Sequence, residues 1–124
     1  MNNRRKTPFR YVLKEPVAFD LQFLSINGIV PPEKPVLAIL YNLNRNGCRI
    51  WMPVSLPVEN NHIEVSMEIL LNDVPLTLKG SLRWSLPHEG GYYYGVELDE
   101  SDEERDRLPA ELRELAGQNR ILAQ

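Results

Sequence analysis

Apolar and polar residues alternate through the middle of the chain. Val17, Phe19, Leu21 and Phe23 are separated by Ala18, Asp20 and Gln22, and Ile63, Val65, Met67 and Ile69 are interleaved with Glu64, Ser66 and Glu68. The same period of two runs through Leu76, Leu78, Gly80, Leu82 and Trp84, and again through Tyr92, Tyr94, Val96 and Leu98. Successive strand side chains point to opposite faces, so each run predicts a strand with one dry and one wet side. Residues 36–41 are apolar throughout and predict a more deeply covered strand. The breaks carry turn chemistry: Asn27 with Gly28, Asn72 with Asp73, and Gly90 with Gly91 in a flexible connection. Pro31, Pro32 and Pro35 stop any strand through 30–35. Short strands at this spacing predict an antiparallel barrel or a sandwich, and periodicity does not choose between them.

The period changes near the C-terminus. Ser101, Asp102, Glu103 and Glu104 form a capping-box pattern, with Ser101 to cap and Glu104 to reach back. Leu108, Leu112, Leu115 and Leu122 fall near one helical face. Pro109 suits a first turn and is costly inside a helix, which predicts a short helical turn, a break near Leu108 and a helix from about Pro109. Residues 118–124 are expected to fray or to dock on a partner.

Length and composition narrow the class. A chain of 124 residues with 43% hydrophobic and 25% charged residues builds one domain with a real core. The single cysteine, Cys48, rules out a disulfide within the chain and reads as a small buried apolar residue. With no apolar N-terminal segment and no run long enough to span a bilayer, a cytoplasmic protein with no direct membrane insertion is expected. The net charge of -3 argues against nucleic acid as a partner. That charge is unevenly spread: residues 1–10 hold four basic residues and no acid, whereas 97–107 hold seven acids and two arginines. A basic arm on an acidic body suits a small, defined anion better than a long polyanion.

Chemistry of the catalytic kind finds no support. His62 and His88 fall in expected loops without zinc-ligand spacing, the acidic run matches no calcium loop, and no nucleophile elbow or phosphate loop is present. No catalytic or metal residue and no cofactor is therefore assigned, and the chain is read as a non-enzyme. Tyr92 and Tyr94 are expected in the core with Tyr93 at the surface, and Trp51 and Trp84 are read as packing residues.

Two segments remain. Arg4, Arg5, Lys6 and Arg10 crowd the N-terminus, and Asn42, Asn44 and Gly47 mark a polar turn between apolar runs. In order, the chain shows a basic arm, a strand, an Asn-x-Asn-x-x-Gly turn, further strands, the run Tyr-Tyr-Tyr-Gly-Val-Glu-Leu at 92–98 and an acidic capped helix. This order resembles the PilZ family, receptors for the bacterial second messenger cyclic di-GMP, from about Arg4 to Leu115. The family pattern is Arg-Arg-x-x-x-Arg followed by Asp/Asn-x-Ser-x-x-Gly. Counting back from Arg10, the pair falls on Arg5 and Lys6, and Asn44 stands at the serine position.

The resemblance implies an all-β fold, a six-stranded antiparallel barrel with a C-terminal α-helix over 11–117, preceded by an arm over 1–10. It implies a receptor that binds cyclic di-GMP through Arg4, Arg5, Lys6, Arg10, Asn42, Asn44 and Gly47. Such a receptor would pass the messenger level to an unidentified protein partner in motility, pilus or exopolysaccharide control. A guanidinium can stack on a purine and grip phosphate with two hydrogen bonds, which suits Arg5 and Arg10; Lys6 and Arg4 add charge. Asn42 offers a carboxamide to a guanine edge, and Gly47 is expected to free the backbone for a positive φ. Arg45 and Arg83 are secondary contacts on charge alone. The alternative is a PilZ-like protein-interaction module that no longer binds nucleotide.

Overall fold

The computed structural model describes residues 10–99 and 103–123. The alternating runs form strands β1 (Tyr11–Ile26), β4 (Ile63–Ile69), β5 (Leu76–His88) and β6 (Gly91–Leu98), and the apolar run forms β2 (Val36–Leu43), which is not covered on both faces as expected, since Leu37 is exposed. Between β2 and β4 lies β3 (Gly47–Met52), in which Cys48, Ile50 and Met52 are buried. A 3-10 turn (Glu103–Arg107) leads into helix α1 (Leu108–Gly117), and β7 (Ile121–Ala123) ends the described chain. The helical break therefore falls where Pro109 places it.

The strands pair antiparallel in the order β2, β3, β6, β5, β4, β1, and β2 pairs back with β1. This closes a six-stranded barrel, so none of those strands is left as an open edge. Inside lie Leu21, Leu40, Ile50, Met67, Leu78 and Tyr94, all essentially inaccessible to solvent. Leu108, Leu112 and Leu115 of α1 join the same core. Burial of large aliphatic side chains of this kind is the main stabilising term, about 1.5–3 kcal/mol each. Tyr94 is satisfied by donating to the Val54 carbonyl and accepting from Leu56 N–H at 2.9 Å, so it ties the 53–62 loop to the barrel.

Turns follow the sequence at Asn27 and Gly28, whose positive φ values of 52° and 81° make a two-residue reversal. The connection expected to be flexible at Gly90 is equally tight: Glu89 and Gly90, both at positive φ, turn β5 directly into β6.

Two further expectations are corrected. Residues 121–123 do not fray: they pair with Tyr11, Val12 and Leu13, and Ile121 is buried. Leu122 is therefore an exposed strand residue rather than part of the helical stripe. The reversal that makes this possible is at Asn119, φ 58°, where Arg120 N–H returns to the Leu115 carbonyl at 2.9 Å. Of the capping box, Ser101 lies outside the described residues; Glu104 accepts from Thr77 N–H at 3.2 Å and from Arg107 at 2.9 Å, which ties the turn to β5.

Candidate functional site

Two irregularities in the barrel shape one cleft. Between Leu40 and Asn42 the pairing of β2 with β3 slips, so that Leu40 faces Ile50 but Asn42 faces Arg49. Alternation from Ala38 and Leu40 would send Asn42 into the core; the bulge turns it outward instead. Between Leu82 and Trp84 the pairing of β5 with β6 slips in the same way, so that Leu82 faces Val96 but Trp84 faces Gly95. Trp84, expected to pack inside with Leu82, is instead 40% exposed on the outer surface.

The result is one cross-strand row, Trp84, Gly95, Arg49 and Asn42, running over four strands. Gly95 is the seat of the indole: a Cβ there would fall inside the Trp84 ring. Asn42 is only 5% exposed, and among the described residues its carboxamide has no hydrogen-bond partner.

This row floors a cleft of about 190 Å³, also lined by Arg10, Asn44, Gly47 and Arg83. Four of the seven residues assigned from the sequence therefore meet in one place. Arg10 comes from the chain just before β1, Asn42 from the end of β2, and Asn44 and Gly47 from the loop into β3. Arg4, Arg5 and Lys6 lie outside the described residues.

Asn44 has a defined structural task. Its Oδ1 accepts from the backbone N–H of Asn46 at 2.7 Å and of Gly47 at 2.9 Å, closing an Asx turn. The turn is fastened to β6 by Leu98 N–H donating to the Asn46 carbonyl at 2.9 Å. Gly47 is needed for another reason than the expected one. Its φ is not positive; a Cβ there would sit 2.5 Å from the Val96 carbonyl oxygen, so only glycine lets β3 approach β6 so closely.

The charges lining the cleft favour an anion. Three guanidinium groups, from Arg10, Arg49 and Arg83, face one carboxylate, Glu97, which lies 3.6 Å from Arg83. Arg49 rests over the Tyr93 ring at 4.7 Å and near Tyr41 at 5.8 Å, and its Nε is buried without a partner. Cys48 points inward from β3, and burial pushes its thiol up to about 12, so it takes no part in ionic chemistry.

Sequence reasoning missed Arg49, Trp84 and Gly95, because each acquires its place from a strand slip or a cross-strand partner. Arg83 was anticipated on charge; Arg45 lines a different groove, with Tyr11, Leu112 and Arg113. His88, expected in a loop, ends β5. Among the described residues no group of three His, Cys, Asp or Glu side chains is placed to hold a metal ion, and no helix is long and apolar enough to cross a membrane.

The family model for the PilZ domain matches residues 4–114, nearly the whole chain. The chain belongs to the PilZ family. The closed six-stranded barrel with its C-terminal helix is the architecture the sequence resemblance implied. PilZ domains are binding modules, and cyclic di-GMP receptors are the family's general functional class. No curated protein sequence matches the chain. Within this PilZ domain the matched region contains residues 4–10 of the basic arm and the Asn44 turn.

Proposed function

We propose that this PilZ domain is a cytoplasmic receptor that binds cyclic di-GMP in the cleft floored by Asn42 and Arg49 and signals its occupancy to a protein partner. One observation carries the reading: Arg10 and the Asn42, Asn44 and Gly47 turn, more than thirty residues apart in sequence, line the same cleft. Arg10 would grip a phosphate or the O6/N7 edge of a guanine with its fork of donors. Asn42, unpartnered among the described residues, would read a guanine edge with its carboxamide. Trp84 offers an aromatic face at the cleft wall and Arg83 a second cation.

The cleft encloses about 190 Å³. Small-molecule sites that bury a whole ligand enclose roughly 300–1,000 Å³. A dinucleotide therefore needs contacts beyond the described residues, and in this proposal Arg4, Arg5 and Lys6 supply them. Control of motility, pilus or exopolysaccharide machinery through the partner is part of this reading.

Titration calorimetry of the full chain with cyclic di-GMP, with cyclic di-AMP and GTP as controls, is the test. Saturable heat is expected with cyclic di-GMP alone, weakened at least tenfold by Arg10→Ala and by Asn42→Ala. Absence of heat at high micromolar ligand would overturn the reading.

Asn44 favours a second reading, a PilZ module without nucleotide. Where the family has serine, this chain spends the side-chain carbonyl on two backbone donors of its own turn, and Lys6 lacks the arginine fork. A partner captured equally well with and without cyclic di-GMP would support that reading.

A further inference from the structure

The outside of this barrel has two different halves. On β1, β4 and the first part of β5 the outward row is Asp20, Glu68 and Thr77, followed by Gln22, Ser66 and Lys79. Those are ordinary wet positions. On the other half, next to the cleft floor, a second row crosses four strands: Leu86, Tyr93, Trp51 and Ile39. Leu37 flanks it at 63% exposure, and Leu86 itself is 56% exposed. Neither this row nor the cleft-floor row contains a lysine, aspartate or glutamate.

The aromatic groups in it are held still. Trp51 donates its indole N–H to the His88 carbonyl at 2.9 Å and covers Gly91, where a Cβ would overlap the indole. The Tyr93 ring stacks on His88 with centroids 4.2 Å apart and meets Tyr41 edge-on at 5.4 Å. Rings already fixed in place lose little conformational freedom on contact, and Trp, Tyr and Arg are the residues enriched where binding energy concentrates. Arg49 borders the row as a cation with no acceptor among the described residues.

We propose that the outer face of β2, β3, β6 and the end of β5 is a docking surface for a different protein. The partner segment would lay apolar side chains on Leu86, Tyr93, Trp51 and Ile39 and set a carboxylate on Arg49. Arg49, a cation with no acceptor among the described residues, calls for a carboxylate on the occupant, and a partner of that charge is the one to which we commit. The surface shares Arg49 with the cleft floor, so the docking is assigned to the nucleotide-free protein.

The experiment is selection of a random dodecapeptide library on the full chain without nucleotide, followed by calorimetry of an enriched peptide. Enriched sequences are expected to carry large apolar residues around an Asp or Glu. Leu86→Ser and Arg49→Ala should each weaken binding about tenfold with an unchanged circular-dichroism spectrum, and Glu68→Ala should change nothing. Replacing the peptide's acid by its amide should weaken binding to the wild type but not to Arg49→Ala, which isolates the ion pair. A consensus without an acid, affinity indifferent to Leu86→Ser, no enrichment, or a dimer abolished by Leu86→Ser would each overturn the proposal.

Discussion

Single positions in this PilZ domain are governed by what lies across the strand. Gly95 is the clearest case, because Trp84 occupies the space a side chain would need. Gly95→Ala is expected to displace the indole and to cost about 1–3 kcal/mol, read as a lower urea midpoint together with a shifted tryptophan emission. Cys48 is governed by burial, which raises its thiol from the ordinary 9.0 to about 12. The folded protein then holds its proton over a range where the unfolded chain ionises. This contribution to stability is complete below about pH 9 and is lost as pH rises from about 9 to about 12. At pH 8 the native thiol should therefore resist a disulfide reagent that reacts at once in urea; rapid native reaction would contradict the burial. His88 and Arg49 show the limit of reading residues singly, since both take their roles from Tyr93.

At the scale of elements, regular alternation made β1, β4, β5 and β6 legible, and the apolar run marked β2. What alternation cannot show is a register slip, because one extra residue on a strand leaves the composition unchanged while reversing which face follows. That is why alternation alone places Trp84 in the interior and why Asn42, a loop-like residue by type, is a strand residue facing outward. The tail is not legible in the sequence for a related reason: three residues pair only if a partner edge is present, and β1 provides it between Tyr11 and Leu13. Ile121→Asp is expected to cost about 2–4 kcal/mol by burying an unpaired charge. It should also raise hydrogen exchange at Tyr11, Val12 and Leu13, the residues next to the arm. Unchanged exchange there would show that β7 does not hold the start of β1.

For the whole molecule, closure of the sheet couples the cleft to everything else. Arg10, Asn42, Arg49 and Trp84 come from chain segments that meet only when β2 has paired with both β1 and β3, and β6 with β5. A ligand bound there stabilises only the closed barrel. On the proposed reading, cyclic di-GMP at a hundred times its dissociation constant adds about 2.7 kcal/mol, a rise of roughly 10 °C in Tm for a chain of this size. Scanning calorimetry should show one cooperative transition that moves upward with cyclic di-GMP and stays in place with cyclic di-AMP.

The amino-acid order by itself determined strands β1, β2, β4, β5 and β6, the two-residue turn at Asn27 and the helical break at Pro109. These are local properties, set by side-chain period, backbone preference and residue type. The three-dimensional structure alone decided that the sheet closes, that two slips in register turn Asn42 and Trp84 outward beside Arg49, and that one half of the exterior is aromatic. Each of those depends on which residue stands opposite which, and cross-strand partners lie tens of positions away along the chain.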